Sequence, residues 1–439
     1  MRELRPVREL RGARGHLPAP RRGASVSGGK RLQFEWNLLV LVTAALLLFG
    51  LVMVYSASSG SAALGNANPL GFVERQVIYA VLGVALLVVV SRLELEKIRA
   101  LAPTLVVTAL VLCLGVLAVG PRINGARRWI TIGPLVFQPS ELAKLALVVW
   151  TAAYLSRHRP PRTLKELVRP IGVLVLLFAL LVLVEPDLGT ALTLLLVVGA
   201  ILLVSGTRLS LLASAYGLVL GLAAIVAWSS PYQRARLLTF LDPWKDPTGA
   251  GLQNVQALIS IGSGGIFGRG LGSGIEPLGY LPEAHTDMMF AVVGEELGLV
   301  GVTLVIMAFC AFAYAGIRLA ITCRDPFAKR LAAGITALVC GQAAINMAAA
   351  IGLAPLTGIP LPFVSYGGSS LVVMLVSVGV LLNIARGNGA RAATAVPDRS
   401  RRDGRARRAG ARGRGGAAAA GRAGDVRRVA GSRRGAARS

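Results

Sequence analysis

Acidic side chains are scarce in this chain: 21 Asp and Glu stand against 47 Lys and Arg in 439 residues, for a formal net charge of +26. Charge of either sign is thin, at 15% of residues, and aromatics make up only 6%. So little charge cannot keep a chain of this length in water, which excludes a soluble enzyme. Histidine and cysteine are few as well, three and four. Cys113, Cys310, Cys323 and Cys340 lie in or beside apolar runs and match neither a metal motif nor a disulfide framework. They read as small buried hydrophobes. No Walker-type phosphate loop is present. GSGGIFGRGLGSG (262–274) is no dinucleotide fingerprint, since no strand precedes it and no acid follows at the right distance. It reads as a mobile loop, with an anion cradle of backbone N–H groups as the alternative. No cofactor is evident, and a need for Mg2+ or Mn2+ stays open.

What the chain has in abundance is apolar sequence: 54% of residues are hydrophobic, and the mean hydropathy is +0.65. A span of the hydrocarbon takes ~20 apolar residues. Ten runs qualify, at 36–56, 76–91, 102–119, 140–156, 170–184, 188–205, 209–228, 287–317, 331–352 and 367–385. Backbone in lipid must pair internally, so the predicted fold class is all-α. The expectation is a polytopic membrane protein with ten transmembrane helices. Lys and Arg fall in alternate loops (Arg92, Lys97 and Arg99; Arg157 to Arg169; Arg208; Arg318 to Arg330), which puts both termini in the cytoplasm. The exception is an outward loop with Arg122, Arg127 and Arg128.

Three parts are expected: a disordered basic N-terminus (1–34), a membrane domain (35–388) with a large external loop (about 229–286) between helices seven and eight, and a disordered Arg-rich tail (389–439). From Arg391 onward the tail has 15 Arg, 3 Asp and no Lys. Adhesion to anionic inner-leaflet lipid, at ~1 kcal/mol per basic residue, accounts for it. Nucleic acid is a poor fit, because the tail has no aromatic to stack on a base.

The polar residues that remain fall in the external loops. YLPEAHTDMMFAVVGEE (280–296) runs a polar knot into an apolar helix. Asp287 reads in two ways, as that helix's N-cap or as a general base in a partly desolvated wall. One unbroken helix is expected from there to Arg318, with Glu295 and Glu296 near the outer boundary. Arg127 and Arg128 either snorkel beside Trp129 or capture a diphosphate. Glu141 and Lys144 share one helix face and shape a cavity at the helix mouth. In EPDLGT (185–190), Pro186 breaks one helix and Asp187 caps the next. Arg234 and Arg236 belong to a segment lying in the membrane interface. TGIPLPFVSYGGSS (357–370) reads as a re-entrant or broken helix lining a cavity, where Ser365, Tyr366, Ser369 and Ser370 offer hydrogen bonds, or as a packed external turn. Acids and bases around a membrane-level cavity suit a lipid-linked diphosphate. They fit transfer of its sugar to an acceptor hydroxyl, with one base and inversion at the anomeric carbon.

NGARRWI, QPSELAK, EPDLGTAL, LPEAHTDMMFA followed by GEELG, LPFVSYGGSS and MVYSASS together resemble the SEDS family (FtsW, RodA and SpoVE) over about residues 36–386, closest to the FtsW branch. The resemblance implies a ten-helix peptidoglycan glycosyltransferase that polymerises lipid II on the outer face of the cytoplasmic membrane during septal wall synthesis in cell division. It implies a class B penicillin-binding protein and other division proteins as partners. It places the catalytic base at Asp287 and substrate-binding groups at Glu141 and Lys144. Arg127, Arg128, Arg234, Arg236, His285 and Ser369 complete the candidate site. A lipid II flippase and a non-enzymatic division scaffold are the competing readings.

Overall fold

The computed structural model describes residues 24–63, 69–122, 127–133, 135–185, 187–229, 234, 238–249, 251–274 and 286–394. Two compact units divide the chain, Met1–Ala392 and Ala393–Ser439, and nearly all of the second lies outside the described residues. The first is helical: α1 (Ala24–Ala63), α2 (Pro69–Arg92), α3 (Leu95–Ala100), α4 (Ala102–Val119), α5 (Pro139–Arg157), α6 (Leu164–Leu167), α7 (Val173–Val184), α8 (Leu188–Val204), α9 (Leu209–Ser229), α10 (Leu252–Ser263), α11 (Met289–Thr322), α12 (Pro326–Ala350) and α13 (Gly368–Thr394).

Each of the ten expected spans falls on one of these helices. Among the described residues, seven helices are long and apolar enough to cross a membrane: Gln33–Ser59, Leu70–Arg92, Ala102–Val119, Leu164–Val184, Met289–Thr322, Pro326–Ala350 and Gly368–Gly387. The protein is therefore a multi-pass membrane protein. Its outward faces stay apolar, with Leu41, Val81, Leu304 and Met307 all more than 60% exposed, as lipid requires and water forbids. At the centre, α12 packs against α5, α8 and α11, while α1 lies along α11. Small residues permit the close approach: a Cβ on Gly334 would come within 2.9 Å of Ile201 and Val148 side chains.

Three expectations need correction. The fold is not wholly helical, because β1 (Ile130–Ile132) and β2 (Leu135–Phe137) form a short antiparallel hairpin ahead of α5. β-branched residues on both sides of Gly133 and Pro134 favour it. Tyr79 of α2 holds it, its hydroxyl donating to Val136 O at 3.1 Å and accepting from Val136 N at 2.6 Å. Second, helix overruns the expected membrane domain at both ends, from Ala24 to Thr394, since no proline intervenes between Pro20 and Pro69 or between Pro362 and Pro397.

Third, α11 is not one continuous helix. Gly298 has φ +64° and ψ −159°, a backbone state that only glycine adopts without strain. The break removes the two helical bonds that would join Glu295 O to Leu299 N and Glu296 O to Val300 N. The glycine-rich loop after α10 supplies both replacements. Arg269 N and Gly270 N donate to Glu295 O and Glu296 O at 3.0 and 2.9 Å, and Leu299 N and Val300 N donate to Gly265 O and Ile266 O at 2.9 and 3.1 Å. The loop is a backbone splint. A Cβ on Gly268 would stand 2.1 Å from Glu296 O, so the splint has no room for a side chain there.

Candidate functional site

The turn before α11 carries Asp287. Met288 takes the N-cap position, and no side chain caps the helix. Of the two readings of Asp287, the structure thus removes the cap. Its side chain is half-buried, while Met288 to Val293 behind it are fully buried. Oδ1 accepts from Thr286 Oγ1 at 3.3 Å and faces Gln253 Nε2 of α10 at 3.5 Å. The Asp287 carbonyl accepts from Asn346 Nδ2 at 2.8 Å.

α5 brings the second group. Lys144 Nζ lies 2.8 Å from Glu141 Oε1 and 2.7 Å from Gln342 Oε1, and both charged side chains are sealed from solvent at 0% and 1% exposure. One carboxylate oxygen is occupied by that ion pair. The other, Glu141 Oε2, is buried without a hydrogen-bond partner among the described residues, as are Ser140 Oγ and Asn346 Oδ1. Acceptors left this way mark places for water or a polar ligand.

Gln342 and Asn346 sit one turn apart on α12 and reach the same segment. Gln342 Nε2 donates to Pro360 O at 3.0 Å, and Asn346 Nδ2 donates to Ile359 O at 2.8 Å. That segment is neither helix nor strand from 357 to 365, yet Ile359, Leu361, Phe363 and Val364 are buried. The backbone there is irregular and enclosed by protein. A Cβ on Gly50 of α1 would stand 2.3 Å from Phe363 O, so the first helix presses directly on it.

Arg127 and Arg128 of the third loop are engaged with helix ends. Arg127 Nη1 donates to Leu117 O and Ala118 O at 3.0 and 3.1 Å, capping α4. Arg128 Nε donates to the Glu185 carbonyl, and its guanidinium stands 6.0 Å from the Trp129 ring. Asp187 caps α8 as expected, accepting from Thr190 N and Thr190 Oγ1 at 2.9 and 2.8 Å. Burial pushes the Glu185 carboxyl up to about 8, with the Asp187 charge adding to the rise and Arg128 opposing it.

Gln138 joins the two groups. Its Nε2 reaches Asp187 Oδ2 at 3.2 Å, its N donates to Ser369 Oγ at 3.1 Å, and its O accepts from Glu141 N at 3.2 Å. Arg234 is exposed, 5.9 Å from the Trp228 ring. His285, Arg236, Glu283 and Pro186 lie outside the described residues. Among the described residues no three His, Cys, Asp or Glu side chains gather to hold a metal ion. The structure therefore unites Asp287, Lys144 and Glu141 through Gln342 and Asn346, and brings Ser369 and Asp187 together through Gln138, three amides that the sequence did not flag. Arg128 joins at the Glu185 carbonyl, two residues from Asp187.

Residues 37–389 match the family model described as "Cell cycle protein", which covers FtsW, RodA and SpoVE. The chain is 43% identical over 366 residues to the "Probable peptidoglycan glycosyltransferase FtsW" of Thioalkalivibrio sulfidiphilus, covering 81% of this chain and 90% of that protein. It is 40% identical over 355 residues to the protein of that name in Geobacter sulfurreducens, covering 80% and 95%. Among solved structures, a chain of a peptidoglycan synthase complex that coordinates polymerization and crosslinking matches with TM-score 0.67 and 33% identity, over 80% of this chain and 97% of that one. The rod shape determining protein RodA of Thermus thermophilus matches with TM-score 0.60 and 30% identity, over 80% and 96%. The chain belongs to the FtsW, RodA and SpoVE family of cell cycle proteins.

Proposed function

We propose that this protein is a peptidoglycan glycosyltransferase that polymerises lipid II on the outer face of the cytoplasmic membrane, with ten spans, both termini inside, and a role in septal wall synthesis. The observation that carries the assignment of the base is the state of Asp287. Its carboxylate is half-buried at the mouth of α11 and is not spent on capping that helix. The reaction balances without a cofactor step. The acceptor hydroxyl oxygen bonds to the anomeric carbon as the carbon–oxygen bond to the diphosphate breaks. The hydroxyl proton passes to Asp287, and the electron pair leaves on the lipid diphosphate.

Positive charge near the phosphates then stabilises the leaving group. Arg128 beside the Glu185 carbonyl and Lys144, tied to the Pro360 carbonyl through Gln342, are the candidates among the described residues, with Arg127, Arg234, Arg236, His285 and Ser369 as further substrate contacts. A divalent cation carried by the diphosphate itself belongs with the substrate. The matched synthase complex, which couples polymerization to crosslinking, supports a class B penicillin-binding protein as partner. The test is Asp287→Asn in the full chain with lipid II. Polymerisation falls by roughly 10²- to 10⁴-fold while lipid II still binds. Normal glycan strands from that variant would falsify the assignment.

A further inference from the structure

Gln342 and Asn346 do the same thing twice. Each is buried, at 0% and 2% exposure, and each amide nitrogen holds a carbonyl of the non-helical segment, Pro360 O for Gln342 and Ile359 O for Asn346. Each also holds a residue of the candidate site. Gln342 Oε1 accepts from the Lys144 ammonium at 2.7 Å, and Asn346 Nδ2 donates to the Asp287 carbonyl at 2.8 Å. The Asn346 orientation is fixed, because turning the amide over would aim its oxygen at two carbonyl oxygens. Ile359 and Pro360 are consecutive, so the base and the buried cation are referred to one rigid pair of peptide groups through two side chains on one helix face.

We propose that Gln342 and Asn346 are positioning residues: together they set where Asp287 stands relative to Lys144 by clamping both to the Ile359–Pro360 peptides. This rests on the reading of Asp287 as the base. Neither amide touches the reacting atoms. They act by fixing the backbone from which the carboxylate projects, and a misplacement on the order of 1 Å costs ~100-fold in rate.

Two near-isosteric changes remove the N–H donors and bring in a carboxyl group in their place. Asn346→Asp leaves Asp287 O and Ile359 O without an N–H, and Gln342→Glu keeps the Lys144 contact while losing the bond to Pro360 O. The full chain, co-purified with its class B penicillin-binding protein, is assayed on lipid II. The expected result is a fall in kcat of roughly 10- to 100-fold for Asn346→Asp, with KM for lipid II within about threefold. The fall should shrink in an Asp287→Glu background, where the carboxylate is already misplaced.

A merely structural role gives another pattern: less folded protein, parental kcat per folded molecule, and equal cost in both backgrounds. That result overturns the proposal. Asp287→Asn separates the two levels. If it polymerises normally, the base reading fails first; if it is inactive while Asn346→Asp keeps parental kcat, only the clamp fails. Should Asn346→Asp not fold, Asn346→Ser is measured by the same split between kcat and KM and the same double mutant.

Discussion

The hydroxyl of Ser56 lies 2.7 Å from both carboxylate oxygens of Glu296 and accepts from Gly272 N at 2.9 Å. Three chain segments meet at that oxygen: α1, the break in α11 and the end of the splint. Ser56→Ala leaves a fully buried carboxylate short of a donor, at a cost of about 1.5–3 kcal/mol. The purified variant should melt several degrees lower, and Glu296→Gln in the same background should recover part of the loss. An unchanged melting temperature for Ser56→Ala rules out the tie.

Gly298→Ala places a Cβ 2.4 Å from Gly268 N and 2.6 Å from Ile266 O, at a φ that alanine resists. Backbone cannot yield there as a flexible side chain would. We expect a loss of at least ~4 kcal/mol, read as failure to accumulate in the membrane. Gly115→Ala is the control, since nothing lies within 4 Å of its Cβ and it sits inside α4. It should be neutral or stabilising by up to about 1 kcal/mol.

Lys144→Met removes the partner of a buried carboxylate, which costs roughly 3–5 kcal/mol. Adding Glu141→Gln takes away the stranded charge. The double variant should therefore fold far better than Lys144→Met alone, yet remain poor in polymerisation. Folding that recovers together with full activity would reduce the ion pair to a structural element.

Glu185 gives a pH dependence of definite sign. Its carboxyl is raised from 4.5 to about 8 in the folded protein. Across that window the folded state keeps a proton that the unfolded chain has released. Stability therefore falls as pH rises, on the order of 1.4 kcal/mol per pH unit, and levels off above the folded value. Glu185→Gln should flatten the fall in melting temperature between about pH 5 and about pH 8 and leave the variant the more stable at the upper end. Parallel curves for the two proteins would show that Glu185 does not titrate this way.

The helices were legible because apolar length in lipid leaves the backbone a single solution, and the Asp187 cap was legible because its signal is local. Asp287 stood out by chemical contrast, but sequence alone left it between cap and base. The amides were not legible. Gln342 meets Lys144 across 198 residues and Asn346 meets Asp287 across 59, and no local pattern encodes such a pairing. The splint is not legible in the sequence, for a physical reason. Glycine-rich composition signals mobility when nothing opposes the loop, yet here the glycines let one backbone lie against another. A sign was present in Gly298 itself, a glycine two residues past Glu296 inside an apolar run. The hairpin carried its own signal too, in ITI and LVF on either side of Gly133 and Pro134.

Because the splint is bonded on both sides of the helix break, at Gly265 and Ile266 and again at Arg269 and Gly270, the spacing between those two pairs is set like a tooth count on a gear. Substitutions at Phe267, which points outward at 83% exposure, are tolerated by that mesh. One residue inserted or deleted between Ile266 and Arg269 is not, whatever its chemistry.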